Sequence, residues 1–509
     1  MGNLAGRHGW RVWFAGFFLI GLGWSLFTPI NQYPDESDHV YRAASVVRGH
    51  VWPKIGEYTH GTGALAPVPR AIHEVFTTEP CTGLKSPPMC ADRPGDPHTV
   101  DAVTSEGRMF PLYYAMVGWP SLISDGRLGV RGMRAANAAL CAAWLAAAAT
   151  ILMSIAGRRV VLAAGLFAGL TPLAMYLSGG INPSGPEAAA AVCFWAAVLA
   201  LIHGRSSLAR RTLLVLAGLS GTALVTGRFI GMFWVGLILV LSLLTAHRSV
   251  WLPFVRGLLK PVFVPIAAAA VVMGAYTLTA RSYQTFKPLR PVDRDLSEVV
   301  RLSLGNIDKQ LSELVAYFGW LSVPPGPVTL ASWALVVLMI IVFAAYGNGQ
   351  VRFGTGVGLA FVLLLPLLIQ GLAFARPTIG GWQGRYTLPL AVGVTLLAVI
   401  PAGVSSARGR IPVIVAWAAM AVYTVGHIAA IRDAWGIFTT GLDNTRLSPP
   451  FTAVPVTTAR AGLVIVAAGG LLILAAILLK DRTRPDRADL GPPAAKDLDP
   501  AASLSAHRL

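Results

Sequence analysis

The chain has 509 residues, of which 54% are hydrophobic and 13% charged, and it carries a net charge of +17. Long uncharged runs with that composition exclude an ordinary soluble globular domain and indicate a polytopic membrane protein. Lys and Arg gather in short segments between the apolar runs, as loops on the cytoplasmic side do, so the basic balance reflects topology and no nucleic-acid partner is expected.

The first apolar run follows Arg7, His8 and Arg11. It is too long for the core of a signal peptide and lacks a small-residue cleavage site, so it is read as a span. Crossing a hydrocarbon core of roughly 30 Å takes about 20 apolar residues in a helix. Runs of that kind lie near 12–30, 134–156, 159–177, 187–203, 212–226, 228–246, 261–280, 328–346, 353–374, 386–402, 411–430 and 460–479, which predicts an all-α polytopic protein of about twelve transmembrane helices. Taken as one helix, 212–246 would be about 52 Å long, too long for a single crossing. A break is expected at Gly227-Arg228.

Segments 1–11, 157–159, 204–211, 247–260, 347–352 and 403–410 contain Arg or Lys and no Asp or Glu. They alternate with 31–133, 178–186, 281–327, 375–385 and 431–459, which hold nearly all the loop carboxylates. The first set is expected in the cytoplasm and the second outside it, with both termini cytoplasmic. The membrane domain then covers 1–480, and the charged, Pro- and Ala-rich tail, 481–509, is expected to be disordered and cytoplasmic.

The first external loop, 31–133, is far longer than a connector requires, which points to function. Within it, Asp35 to Val47 has helical spacing, with Asp35, Asp38, His39 and Arg42 on one face, as in a helix lying along the membrane surface. Met109 to Ile123 is apolar and aromatic but short, and reads as a second interfacial or partly buried helix. Cys81 and Cys90 would close a small ring, and an external loop permits a disulfide there. Cys141 and Cys193, inside apolar runs, read as inert core residues.

Several residues are candidates for chemistry. Asp35 and Glu36 either cap the first turn of a surface helix or supply a general base that takes a proton from an attacking hydroxyl. Asp38 and His39 would orient that base, or join Asp35 as ligands if a divalent cation is used. Arg385 lies in Gly380-Gly-Trp-Gln-Gly-Arg-Tyr-Thr-Leu-Pro389, on the side with the least positive charge. It either snorkels to headgroups or binds phosphate oxygens through paired hydrogen bonds, and Arg376 is a weaker candidate of the same kind. Arg228, in apolar surroundings, must face water, a partner or a ligand. Asn182 and Glu187 start a span at the same side, as caps or as site residues.

Pro34-Asp-Glu-x-x-His39 with Arg42, Phe110-Pro-Leu-Tyr-Tyr114, Arg134, Asn182-Pro183, Phe318-Gly-Trp320 and Gln383-Gly-Arg-Tyr386 together resemble a family of bacterial polytopic membrane proteins. That family is in turn similar to the GT-C glycosyltransferases, among them protein mannosyl-, aminoarabinose and arabinosyltransferases. The chain departs from the pattern at two places: Gly107-Arg-Met-Phe-Pro111 stands where relatives often have His-x-Pro-Pro, and Asn182-Pro-Ser where Asn-Pro-Asp is expected.

The resemblance implies a GT-C-like fold in the plasma membrane whose external cavity receives a polyprenyl-phosphate-linked sugar. The acceptor would be a cell-envelope glycan, lipid or protein. By position Asp35 would be the base, with Glu36 as runner-up, and transfer would invert the anomeric carbon. Arg385 would hold the donor phosphate, with Tyr386, Gln383, Arg228, Arg376, His39, Arg42 and Asn182 as further substrate-binding candidates. No cofactor is called for, save a divalent cation if Asp35, Asp38 and His39 hold one. The rival reading is a transporter or flippase for a lipid-linked or anionic solute, for which a carboxylate and two arginines would form the translocation site.

Overall fold

The structure is a computed structural model that describes residues 2–58, 61–77, 90–92, 98–204, 206–281, 294–375, 382–400, 410–440 and 453–481. Arg376, Cys81 and the tail beyond Asp481 lie outside the described residues, and with them the expected Cys81–Cys90 bridge. The protein is mostly helical. Every predicted apolar run falls on helix: α1 (Gly2–Phe27), α5 (Gly126–Ser154), α6 (Arg159–Gly169) with α7 (Pro172–Ser178), α8 (Ser184–His203), α9 (Arg210–Gly227), α10 (Gly231–Leu244), α12 (Val264–Thr279), α15 (Pro327–Ala345), α16 (Gly349–Ala375), α17 (Gly384–Val399), α18 (Ile411–Thr440) and α19 (Val456–Asp481). Among the described residues eight helices are long and apolar enough to cross a membrane, or nine if α6 and α7 count as one span.

Two features of the helical frame position the site. The run 159–177, expected as a single span, is bent by 76° between α6 and α7. Gly169 ends the first piece and Pro172 starts the second, where the absent amide hydrogen of proline costs nothing. The break in 212–246 falls at Gly227-Arg228: α9 ends at Gly227, Arg228 is extended, and α10 starts at Gly231. Helix α8 packs against α5, α9 and α17, and α1 lies between α5 and α19. Apolar on all sides, α8 is buried along nearly its whole length, as a helix without a polar face must be.

The long first loop corrects the all-α expectation. After α2 (Glu36–Val46) it forms a four-stranded antiparallel sheet, β1 (Lys54–Tyr58), β2 (Gly61–Pro69), β3 (Cys90–Asp92) and β4 (Thr99–Thr104), in the order β1-β2-β4-β3. Ala64 pairs with Thr104 and Pro69 with Thr99, while Lys54 pairs with Leu65. Prolines within a strand are unusual, since proline cannot donate to a ladder. Here Pro67 and Pro69 lie past the end of β1, so each leaves unpaired only an edge that has no neighbour. Ala64, Ala66 and Val68 alternate inward against Val100 and Ala102.

The expected surface helix is also corrected. Helix α2 lies over β2 and β4 and beside α4 (Pro111–Gly118), and Glu36 and every residue from Asp38 to Val46 are buried. Sheet, α2 and α4 thus enclose a second apolar core, centred on Val40, Val68, Ile72, Val100 and Tyr114. The expected partly buried helix at 109–123 is present as α4 and a 3-10 turn, Trp119–Leu122. Tyr113, Tyr114 and Val117 face inward, and Leu112, Met116, Trp119, Leu122 and Ile123 face outward.

Candidate functional site

The acidic segment after α1 is held from several sides. Arg134, on α5, grips Glu36 through two hydrogen bonds, 2.6 Å from Nε to Oε1 and 2.8 Å from Nη2 to Oε2. Its remaining donors reach the carbonyls of Ser25, Thr28 and Pro29 at the end of α1. Glu36 also accepts the Asn31 amide at 2.8 Å. Tyr176 donates to the Gln32 carbonyl, Trp320 donates to that of Asn31 at 2.9 Å, and Asn182 to that of Pro34 at 2.8 Å. Gly180 allows this approach, because a Cβ there would lie 2.1 Å from the Tyr33 ring. The clamp holds Asp35 in the left-handed region, with φ 56°. That region is sparsely used by side-chain-bearing residues, though Asp tolerates it better than most, and strain of this kind gathers at functional sites.

Glu36 and Asp35 therefore have different fates. Glu36 is fully buried and saturated by Arg134, which removes it from the pair of base candidates. Asp35 is turned out of the clamp, its side chain 31% exposed, and pairs with Arg385 Nη2. Burial acts to raise the Asp35 pKa, but Arg385, followed by His39 and Arg228, outweighs it and holds the carboxyl below its ordinary value.

Arg385 sits in the first turn of α17, and Glu313, on α14 (Ile307–Ala316), sets that turn by accepting the Gly384 amide at 2.8 Å. Gly384 has to be glycine: a Cβ would lie 2.4 Å from the Leu314 nitrogen. The Arg385 guanidinium is 4% exposed, and its Nη2 serves both Asp35 and, at 3.2 Å, the Tyr386 hydroxyl. Its Nε and Nη1 are buried without a hydrogen-bond partner, and so is Oε1 of Gln383. Arg228, freed from helix geometry by the α9–α10 break, lies over the same Tyr386 ring, 4.8 Å from its centroid against 5.2 Å for Arg385. Its Nη2 donates to Asn182 Oδ1 at 3.3 Å and its Nε lies 3.6 Å from Glu187.

The structure thus brings Asp35, Arg385, Tyr386, Gln383, Arg228 and Asn182 to one place. Asn182 is also a cap, accepting the Ser184 amide at 2.9 Å. His39 and Arg42 are taken elsewhere. Arg42 donates to the carbonyls of His50, Val51 and Met109 and to the Tyr276 hydroxyl, latching the first loop onto α12. His39 is buried, with Nδ1 3.0 Å from the Tyr114 hydroxyl and 3.9 Å from Glu106. Burial, with the two arginines, pushes its pKa down to about 4 against the pull of Glu106 and Asp35.

Asp38 accepts the Ser105 amide at 3.0 Å, and burial beside Glu106 and Asp35 raises its pKa to about 7. Asp35, Asp38 and His39 thus turn to three separate partners. No group of three His, Cys, Asp or Glu side chains among the described residues could hold a metal ion, which sets the expected cation-ligand trio aside.

Arg134 and Phe318-Gly-Trp320 carry part of the family resemblance without an evident chemical role. Both build the frame: Trp320 and Gly319 meet the Asn31 carbonyl and the Tyr176 hydroxyl, and Phe318 packs on Trp24 and Tyr176. The roles of Glu106, Tyr276 and Glu313 had no local signal, because each acts on a partner far away in sequence.

An ionised, partly exposed carboxylate next to guanidinium donors with open hydrogen-bonding capacity is equipped to accept a proton and to bind an anion. The family model described as predicted membrane protein (DUF2142) matches residues 18–394. The chain belongs to that family. The DUF2142 match runs from within α1 into α17, so the whole cluster from Asp35 to Tyr386 lies inside the shared region. No curated protein matches the chain in sequence. Family membership and the apolar helices agree that this DUF2142 member is a membrane protein.

Proposed function

We propose that this protein is a GT-C-like membrane glycosyltransferase that moves a sugar from a polyprenyl-phosphate donor to a hydroxyl of a cell-envelope acceptor. The observation that carries the reading is the Asp35–Arg385 pair, in which Arg385 keeps Nε and Nη1 unfilled beside Arg228. A phosphate oxygen would accept from Nη1, or from Nε on another edge of the guanidinium, while Nη2 keeps Asp35 in place, and charge-assisted donors of this kind suit phosphate oxygens.

Asp35 would take the proton of the acceptor hydroxyl as its oxygen attacks the anomeric carbon. The bond from that carbon to the phosphate oxygen breaks on the opposite face, with inversion, and the electron pair leaves with the polyprenyl phosphate. Charge grows on the phosphate as the bond breaks, where Arg385 and Arg228 stabilise it.

In this reading α9, α10 and α17 join the longer spans to give twelve crossings. The end of the bundle carrying Asp35 then faces the cell exterior across the plasma membrane, and the cationic loops face the cytoplasm. Gathering of the charged groups at one end, rather than at mid-depth, favours this over transport. The test is to incubate the purified protein with a panel of polyprenyl-phosphate sugars and measure released lipid phosphate. Release that depends on Asp35 supports the reading, and no release from any donor counts against it.

A further inference from the structure

Helix α9 ends beside Arg228 and the candidate site, and it starts at Arg210 and Arg211, about 27 Å away at 1.5 Å per residue. The starting end packs against a helical run that begins with α11 (Arg248–Leu258) and passes through one π-helical turn, Leu259–Phe263, into α12. From Arg248 to Thr279 this run is about 48 Å long, whereas roughly 30 Å crosses the hydrocarbon. Its apolar stretch fit to cross a membrane begins at Lys260, so α11 lies outside that stretch. Phe254 of α11 is buried, and Val250 and Val255 pack on the core. Arg248, Leu252, Arg256 and Lys260, recurring every fourth residue, are exposed. The Arg210 guanidinium comes over the same helix: a Cβ at Gly257 would lie 2.8 Å from its Nη2.

Arg210, Arg211, Arg248, Arg256 and Lys260, all exposed, thus gather where α9 meets this run. The sequence has no Asp or Glu from 188 to 292, and among the described residues none of these cations has an ion-pair partner. Like charges held together repel unless anions lie between them. A face that adds the exposed Leu252 to that charge fits the headgroup layer of a bilayer, where phosphates lie over hydrocarbon. We infer that α11 and the start of α9 form a docking face for anionic phospholipids, in the leaflet at the end of α9 away from Arg228. The arginines bind lipid phosphates through their guanidinium donors, Lys260 acts as a point charge, and Leu252 reaches the first carbons of the acyl chains. A soluble polyanion would match the charge but leave Leu252 in water. The inference does not depend on the transferase reading, because the face lies at the other end of α9 from the Asp35–Arg385 cluster.

The test uses the full chain in phosphatidylcholine nanodiscs doped with a headgroup-diazirine lipid, built either on phosphatidylglycerol or on phosphatidylcholine. Each cation near an anionic surface adds roughly fivefold to association, so at low ionic strength the peptide 248–260 should be labelled at least about tenfold more by the anionic probe. At 1 M salt the screening length falls to about 3 Å, and the preference should vanish. Arg248→Gln, Arg256→Gln and Lys260→Gln together should abolish it at low salt. Arg127→Gln with Arg131→Gln, which removes exposed cations at the start of α5, should leave it intact. If the triple variant does not fold, the salt series on the unaltered chain carries the same decision. Equal labelling by the two probes at low salt, a preference that salt does not weaken, or an undiminished preference in the folded triple variant overturns the inference. So does a preference that appears only after residues 482–509 are removed, which would give the face to the carboxylates of the tail.

Discussion

Glu36 and Arg134 stand 98 positions apart and meet in a two-pronged ion pair at the foot of the first loop, both essentially inaccessible to water. Arg134 also satisfies three carbonyls at the end of α1, so one side chain fixes how the chain leaves the first span and where Asp35 points. Removing one partner of a buried pair strands the other charge, at a cost of about 3–5 kcal/mol.

Arg134→Ala is therefore expected to lower the unfolding midpoint sharply, and Glu36→Ala to do nearly as much. Thermal unfolding of the detergent-solubilised protein checks this. A variant that kept wild-type stability would show that the clamp does not hold the loop.

For Arg385 the expectation is the reverse: folding persists and binding suffers. Arg385→Lys keeps a charge near Asp35 but loses the guanidinium and with it the Nε and Nη1 donors. Charge-assisted hydrogen bonds contribute about 1.5–3 kcal/mol, so donor affinity should fall by roughly 10- to 100-fold. Titration with a polyprenyl phosphate measures this. Unchanged affinity for lysine, and then alanine, would make Arg385 a structural partner of Asp35 alone.

Asp38 gives a pH dependence of stability. Its carboxyl is raised in the folded state, so folding favours the protonated form, and that contribution is lost as pH rises from 3.8 through about 7. Asp38→Asn keeps the oxygen that accepts the Ser105 amide and removes the charge. The variant should match wild type near pH 4 and exceed it near pH 8 by up to about 4 kcal/mol. Parallel unfolding curves at both pH values would contradict the burial of Asp38 beside Glu106.

What could be read from the sequence was what depends on neighbours in the chain. The break at Gly227-Arg228, the carboxylates after α1 and the Gln383-Gly-Arg-Tyr386 turn each announce themselves within a few residues, and the structure brings these segments together. Asp35 and Glu36 could not be told apart that way, because the group that separates them is Arg134 on another helix. The same holds for Arg42, whose spacing on α2 matches a ligand face but whose partners include Met109 and Tyr276, far away in sequence. The sheet escaped because Pro67 and Pro69 argue against a strand unless the short reach of β1 is known. Periodicity in Asp35–Val47 gave the helix but not its cover, since the second layer is that same sheet.

The most direct measurement on the central claim is the turnover of Asp35→Asn with a donor that wild type uses. The side chain keeps its shape and can still meet Arg385, but it no longer accepts a proton. General-base catalysis is worth about 10²–10⁴-fold, so release of lipid phosphate should fall by that factor while polyprenyl phosphate still binds. Wild-type turnover by a well-folded Asp35→Asn preparation would contradict the assignment of the base and place the chemistry elsewhere in the molecule.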